Sequence, residues 1–328
     1  MSEPPGWAPP TGPSESAGES SGWPAPAGAP SGWSGPPPGA GWGPPPGWSP
    51  PPPPAQPGVV PLRPLAVGEI LDGAFRTVRR QPRVTLGVAA VVTLVQLVVS
   101  LLAAAATGGA LISTVRVQGG LPFRSAFTGA GLLSVLIGAA AGAVLTAMIA
   151  VIAADTVLGR PTGAGAAWRR VRPLVWRLLV IGVITTIGPL LGLLLLVVPG
   201  VFLWGAWALA VPAMVLERAG VAGSLRRSWR LAVPDWWRVW GTRALSALLA
   251  FLVSSLLSLP ALFYGAFSLF RTEGRDVGVG SAIALTVTSS VASIVVAPFV
   301  AAVLALLYVD RRMRAEGLDV TLARSVGR

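Results

Sequence analysis

Cysteine, histidine and lysine are absent from this chain of 328 residues, and only 12% of its residues are charged. The absence of cysteine excludes disulfides, thiolate nucleophiles and cysteine-ligated metals. The absence of histidine removes the commonest general base and the commonest transition-metal ligand. The remaining acids show no recognised catalytic spacing, so we expect a protein that is not an enzyme and that uses no cofactor and no metal.

Charge is also missing from five long apolar stretches. These uncharged runs are Val84 to Val115, Ser125 to Ala154, Leu178 to Leu216, Ala244 to Phe270 and Val277 to Val309. A spanning helix needs about 20 apolar residues to cross roughly 30 Å of hydrocarbon. One Arg or Asp at mid-depth costs on the order of 2.5–3.5 kcal/mol on insertion scales. The pattern therefore predicts an integral membrane protein.

The third run is long enough for two spans, and the Pro199-Gly200 dipeptide divides it because it is a turn signal. The six expected spans are approximately 84–106, 131–153, 178–198, 201–216, 244–264 and 281–308. The segment 201–216 is short for a span, so we expect either a broken helix or a locally thin bilayer.

The arginines indicate how these spans are oriented. With the N-terminus inside, 21 of the 25 arginines lie on the cytoplasmic side, as the positive-inside rule requires. We therefore expect a multi-pass protein of the bacterial cytoplasmic (inner) membrane with both termini cytoplasmic. The net charge of +12 is carried by arginines that flank apolar runs, which favours lipid headgroups over nucleic acid as the partner.

Residues 1–62 differ in composition from residues 63–328, which we interpret as the six-span membrane domain. Twenty of the first 60 residues are proline, and Gly-Trp pairs recur at Trp7, Trp23, Trp33, Trp42 and Trp48. Such a Pro/Gly/Trp-rich segment cannot bury a core and is expected to be a disordered cytoplasmic tail. It is either a spacer or a docking string for a proline-binding protein partner.

Three segments resemble one another and suggest an internal repeat. They read FRTVRRQP from Phe75, WRRVRP from Trp168 and WRLAVP from Trp229. Each precedes a pair of spans, and each pair ends at an acid. These acids are Asp155, Glu217 and Asp310. We expect an all-α, polytopic membrane helix bundle built from three units, each an interfacial helix followed by a transmembrane hairpin.

The first interfacial helix is expected within residues 65–80. Its apolar positions have helical spacing and form one face, which we expect to lie in the membrane interface. These positions are Ile70, Leu71, Ala74, Phe75 and Val78. A proline ends each of the three repeated segments and is expected to turn the chain into the bilayer. These prolines are Pro82, Pro173 and Pro234.

Three stretches resemble a bacterial family of polytopic proteins named after the membrane domain of glycerophosphoryl diester phosphodiesterase. They are PLAVGEILDGAFRTVRRQPRVTLG at 64–87, SLRRSWRLAVPDWWRVWG at 224–241 and YVDRRMRAEGLD at 308–319. The resemblance covers roughly residues 61–325 and implies a six-span integral membrane protein behind a Pro/Gly-rich N-terminus. It does not carry over the phosphodiesterase activity, which uses paired histidines that this chain lacks.

Arginine and tryptophan are concentrated beside the second and third repeated segments. Together they combine interfacial aromatics with guanidinium groups that pair with headgroups, either as plain anchors or as a specific site for anionic lipid. The candidate residues are Trp168, Arg169, Arg170, Arg226, Arg227, Trp229, Arg230, Trp236, Trp237 and Trp240.

Polar side chains inside the spans are few. Gln96 is the one amide of span one, and serines and threonines occur in spans five and six, where packing roles are commoner than a polar path. No ionisable residue lies deep in any span, which argues against an ion-coupled pump. The Gly138-x-x-x-Gly142 pattern leaves a homo-oligomer open.

The leading interpretation is a non-enzymatic membrane scaffold or accessory protein that binds anionic lipid at its cytoplasmic face. The alternative is a permease or exporter for an amphiphilic substrate. A polar, water-accessible cavity between spans five and six would favour the permease, and a closed, dry bundle would favour the scaffold.

Overall fold

The computed structural model of the chain describes residues 63–106, 129–160, 162–271 and 279–317. Within these ranges it contains ten α-helices and two short 3-10 turns and no strand, which confirms the all-α prediction. The helices are α1 (Val67–Arg80), α2 (Pro82–Ala106), α3 (Gly129–Val157), α4 (Ala164–Val171), α5 (Val175–Leu195), α6 (Val197–Ala206), α7 (Ala210–Glu217), α8 (Val221–Ala232), α9 (Trp236–Arg271) and α10 (Val279–Glu316). The expected disordered tail, residues 1–62, lies outside the described residues.

Six segments of the described chain are long and apolar enough to cross a membrane, which confirms a multi-pass membrane protein. They are Pro82–Ser100, Val135–Val157, Ala164–Leu195, Val197–Glu217, Val221–Phe267 and Thr286–Glu316. The last two helices, α9 and α10, continue well beyond the predicted spans 244–264 and 281–308. A helix that leaves the hydrocarbon can continue because its backbone hydrogen bonds are made within the segment.

The three predicted units are present, each a short amphipathic helix followed by a helical hairpin. The hairpins are α2 with α3, α5 with α6 and α7, and α9 with α10. Pro82 opens α2 directly after α1, while Pro173 and Pro234 lie in 3-10 turns that lead into α5 and α9. Proline suits these positions because the first amide groups of a helix have no intrahelical partner.

The apolar face of each short helix is divided between the bundle and the surroundings. In α1, Ile70 and Ala74 are fully buried against the protein, whereas Phe75 is 52% exposed. The same pairing of a buried residue with an exposed aromatic occurs in the other two short helices. The pairs are Ala167 with Trp168 and Ser228 with Trp229. Each short helix thus turns one side to the bundle and leaves an aromatic side chain exposed, so only part of the apolar face predicted within residues 65–80 is free to contact a membrane interface.

The predicted turn at Pro199-Gly200 is wrong, because the hairpin turns at Leu196. That single residue is extended, with φ −158° and ψ 141°, and it separates α5 from α6. Pro199 instead lies in the first turn of α6, where its missing amide hydrogen costs no hydrogen bond. The two legs cross closely at glycines, since a Cβ added to Gly192 would lie 2.8 Å from the Cα atom of Gly200.

The return leg of this hairpin is broken between α6 and α7. The Ser228 hydroxyl of α8 donates to the Ala206 carbonyl at 2.7 Å and accepts from the Leu209 amide at 3.2 Å. The Trp236 indole donates to the Phe202 carbonyl at 3.1 Å. A break at membrane depth is tolerated when neighbouring side chains satisfy the freed backbone groups in this way.

Helices α3 and α10 occupy the centre of the bundle. In their spanning segments 44% and 50% of the residues are buried, against 17% for α2, and the segment of α6 and α7 that packs beside them is also 50% buried. Helix α5 can approach α3 closely because residue 182 is glycine, where an added Cβ would lie 2.7 Å from the Ala139 carbonyl oxygen. The outer faces of α2 and α9 expose many large apolar side chains, as expected of surfaces that contact lipid.

The acid at the end of each hairpin bonds to the next unit. Asp155 accepts from Arg170 of α4 at 2.9 Å, and Glu217 accepts from Arg227 of α8 at 2.9 Å. Asp310 accepts from the Leu65 amide at 2.8 Å, directly before α1. The third unit thereby closes onto the first, and these contacts gather the short helices at one end of the bundle, called here the arginine-rich face.

Candidate functional site

An arginine-lined corner forms where α1 meets α2. Helix α1 ends at Arg80, and Gln81 breaks the helical conformation with φ −134° and ψ 58°. Pro82 then starts α2, so that Arg80 and Arg83 lie on either side of the bend. Neither arginine has an ion-pair partner among the described residues. Their positive charge is therefore free to pair with an anion.

A groove of about 950 Å³ runs from this corner between α2, α3, α4 and α5. Its walls are aliphatic, because one face of α2 presents a valine or glycine at helical spacing and α3 presents alanines and Ile137. The valines and the glycine of α2 that line it are Val84, Gly87, Val88, Val91, Val92, Val95 and Val99. The volume is typical of ligand pockets, which span about 300–1,000 Å³. Such a groove is suited to an apolar chain.

The mouth of the groove is polar. Arg83 and the half-exposed Trp168 of α4 line it, and an adjoining hollow of about 450 Å³ is lined by Arg80, Thr162 and Gly163. Guanidinium groups pair with phosphate or carboxylate oxygens, and tryptophan favours the headgroup level of a membrane. The combined surface is amphipathic, with charge at one end and hydrocarbon along the rest.

Gln96 is the polar exception on the apolar wall. It lies thirteen residues beyond Arg83, which is about 20 Å along the helix at a rise of ~1.5 Å per residue. An added Cβ at Gly138 would lie 3.5 Å from its side-chain nitrogen. The amide has no hydrogen-bond partner within the described part of the chain. The Gln96 amide is therefore available to form a hydrogen bond with a polar group of a ligand at the deep end of the groove.

The candidate headgroup residues do not form one continuous site. Trp168, Arg169 and Arg170 lie on α4, where Trp168 faces the groove and Arg169 faces a separate hollow on the other flank. The exposed residues Arg226 and Arg230, together with Trp229, lie on α8. The binding of lipid headgroups by this α8 group stays a prediction from the sequence.

Arg227 differs from its neighbours because it turns into the protein. Its side chain is 12% exposed and pairs with Glu217 at 2.8 Å and with Glu316. The Glu316 hydrogen bond is the main reason that the pKa of Arg227 is raised, and the same bond lowers the pKa of Glu316. Both groups lie outside the uncharged runs. Arg227 therefore fastens α8 to the ends of α7 and α10.

A comparable ion pair holds the turn that enters α9. Arg311, only 3% exposed, donates to the Leu231 carbonyl at 2.9 Å and to the carboxylate of Asp235. The hydrogen bond from Arg311 is the main reason that the pKa of Asp235 is lowered. These contacts fix the geometry of the arginine-rich face and leave no free charge on Arg311.

The three remaining tryptophans form an aromatic cluster at the start of α9. Trp236 stacks on Phe202 at 5.7 Å and on Trp240 at 5.8 Å between ring centroids. Trp237 is 76% exposed and meets Trp236 edge-on at 4.8 Å. The Trp240 indole nitrogen is buried without a partner in the described structure. Trp236 therefore packs α9 against α6, Trp240 stacks on Trp236, and Trp237 is the member that can reach an interface.

Sequence reasoning missed Arg80, Arg83 and Gln96 as members of a site. Arg80 belongs to the first repeated segment and Arg83 directly follows it, so their position on either side of Pro82 was a usable signal. The serines and threonines of α10 behave as expected for packing. Thr288 donates to the Ala284 carbonyl at 2.7 Å, and Ser290 donates to the Thr286 carbonyl at 2.8 Å, both within the helix.

Comparison with known proteins places most of the chain in a described family. A family model described as a domain of unknown function (DUF7847) matches residues 65–311. No curated protein and no solved structure matches the chain. The two ends of the matched region meet in the structure, since Leu65 bonds to Asp310. Nothing in the match bears the phosphodiesterase membrane-domain name, so that resemblance stays a prediction.

Proposed function

The chain belongs to the family described as domain of unknown function DUF7847, and from its groove we propose that it binds a lipid with an anionic headgroup. In this proposal the acyl chain lies along α2 and the headgroup meets Arg80 and Arg83 at the arginine-rich face. The protein is a non-enzymatic scaffold or accessory of the bacterial inner membrane, with this face and both termini cytoplasmic.

One observation carries the proposal, namely an apolar groove whose open end holds two unpaired arginines. A soluble apolar ligand would not need the arginines, and a soluble anion would not need about 20 Å of aliphatic wall. Each arginine near an anionic surface contributes about 1 kcal/mol, and a buried methylene contributes about 0.8 kcal/mol. Only an amphiphile uses both parts of the surface.

The role of the two arginines at the mouth of the groove can be tested with two double variants that each remove two arginines. The double variant Arg80→Gln with Arg83→Gln should lose most co-purified anionic lipid in native mass spectrometry, by roughly 30-fold for ~2 kcal/mol. The control, Arg79→Gln with Arg172→Gln, removes two exposed arginines that have no ion-pair partner among the described residues and line no part of the groove. Equal loss from both variants would show general surface attraction and contradict a specific site.

The apolar wall can be tested by filling it. Gly87 lines the groove, and a Cβ added there meets nothing within 4 Å, so the side chain of Gly87→Leu should extend into the groove while the substitution raises helix propensity. We expect weaker lipid retention with an unchanged or higher thermal midpoint. Retention equal to that of the unmodified protein would remove the groove from the proposal.

The groove also bears on the permease hypothesis, because a transporter of amphiphiles needs a binding surface for them. The cavity that was expected to favour a permease lay between spans five and six, whereas this groove lies between spans one, two and three. Transfer of a fluorescent anionic lipid between leaflets of proteoliposomes would favour the permease if Gly87→Leu slows it. Stable binding without transfer would favour the scaffold.

A further inference from the structure

A second hollow lies on the other flank of α4 from the groove. Its volume is about 590 Å³, and Pro173 and Leu174 form part of its wall. The rest is dominated by guanidinium groups from three different parts of the chain. The arginines are Arg169, Arg170, Arg177 and Arg218. This set is called the arginine hollow below, and none of its members lines the groove.

The arginine hollow carries more positive charge than the protein neutralises. Arg170 pairs with Asp155 at 2.9 Å, but the other three arginines have no ion-pair partner in the part of the chain that the structure describes. Like charges gathered in one concavity repel one another, and an anion bound among them relieves that repulsion. The positive charge of these three arginines is more than one monovalent anion would offset.

Arg218 occupies a backbone conformation that is rare for a side chain. It follows the last residue of α7 in the left-handed region, with φ 54° and ψ 29°. Glycine or asparagine normally takes this position at the end of a helix, because other residues are strained there. Among the described residues it is the only non-glycine with positive φ. An arginine held in this conformation, lining a hollow with three others, suggests a role for its guanidinium.

Arg177 is oriented before any ligand arrives. Its guanidinium lies 5.4 Å from the centroid of the Trp176 ring, in a cation–π contact. A guanidinium held in place loses less conformational entropy when it binds a ligand. Arg177 therefore offers one oriented donor, and Arg218 and Arg169 line the same hollow from two other elements.

We propose that the arginine hollow binds a phosphate group that bears at least two negative charges, such as a phosphomonoester or a diphosphate. Several guanidinium groups around one concavity suit such a group, since each donates two hydrogen bonds to a pair of its oxygens. The group belongs either to a water-soluble molecule or to a lipid headgroup. This site is separate from the groove, so either proposal can fail alone.

Arg218→Gly is the sharpest test, because it deletes the guanidinium and also relieves the backbone strain. The probe is pyrophosphate, titrated by calorimetry into the full-length protein in a neutral detergent. We expect at least tenfold weaker binding with an unchanged or higher thermal midpoint, so misfolding cannot explain the loss. Arg177→Gln should weaken binding similarly, whereas the exposed Arg226→Gln and the groove pair Arg80→Gln with Arg83→Gln should not.

The source of the phosphate is distinguished by a second arm. Nanodiscs containing phosphatidate, which has a monoester headgroup, are compared with nanodiscs of zwitterionic lipid alone. Arg218-dependent binding of pyrophosphate supports a soluble ligand, and Arg218-dependent retention of phosphatidate alone supports a lipid headgroup. If Arg218→Gly and Arg177→Gln bind both probes as the unmodified protein does, or if neither probe binds, the proposal is wrong.

Discussion

At the scale of single residues, the arginine-rich face separates structural charges from free ones. Asp310 is fully buried and accepts hydrogen bonds from Leu65, Arg238 and Arg314. Arg227 is similarly enclosed by acids. Arg83 and Arg218, by contrast, are exposed and have no ion-pair partner in the described ranges. The sequence alone does not separate paired arginines from unpaired ones, because the difference depends on which acidic side chains lie near each arginine in the fold.

Asp310→Asn tests the structural class. The change keeps the side-chain shape but removes the charge that Arg238 and Arg314 face, and loss of one partner from a buried pair costs about 3–5 kcal/mol. We expect a clearly lower thermal midpoint, measured by tryptophan fluorescence in detergent.

The control for this variant is Asp72→Asn. Asp72 pairs with Arg76 at 2.7 Å on the surface, with side chains 53% and 62% exposed. Exposed pairs of this kind contribute about 0–1 kcal/mol. Similar midpoints for the two variants would mean that the Asp310 contacts add nothing beyond a surface pair.

At the scale of elements, the sequence predicted which helices form but not how they end. The acids that finish each hairpin were recognised, yet their partners lie up to 245 residues away, as Leu65 does from Asp310. The middle turn was misplaced because Pro199-Gly200 has the same composition at a turn as in the first turn of a helix. The groove could not be predicted, because it depends on how α2, α3 and α5 pack.

The break in the return leg offers a prediction at this scale. Ser228→Ala removes the hydroxyl that bridges Ala206 and Leu209 across the break, leaving buried backbone groups without a partner at a cost of about 1–3 kcal/mol. We expect a lower thermal midpoint and faster hydrogen exchange in α7.

Ser224→Ala is the matched control for the break. Ser224 is also fully buried on α8, but its hydroxyl donates only to the Gly220 carbonyl of its own helix, at 2.9 Å. Removing it should change stability little. If the two serine variants lose equal stability, the bridge across the break is not what Ser228 contributes.

At the scale of the whole molecule, the three hairpins differ in apolar length. The uncharged leg from Leu178 to Leu195 rises about 26 Å at ~1.5 Å per residue, whereas that of α9 from Ala244 to Phe270 rises about 39 Å. A typical hydrocarbon core is about 30 Å thick. The middle hairpin is thus the short one, and its apolar tip is exposed, with Leu195 at 82% and Val198 at 77%.

This difference predicts that the middle turn lies within the hydrocarbon of an ordinary bilayer. Within the described residues no side chain donates a hydrogen bond to the carbonyl groups of the last residues of α5, so a thin bilayer that brings water and headgroups to them should be preferred. Because the chain has no cysteine, Leu196→Cys provides a single thiol at the turn. In nanodiscs of long-chain lipid, a membrane-impermeant maleimide should label it slowly, and shortening the acyl chains should accelerate labelling severalfold. Arg226→Cys, on the exposed face of α8, should label equally fast in both lipids, and equal rates for the two thiols in long-chain lipid would place the turn in water instead.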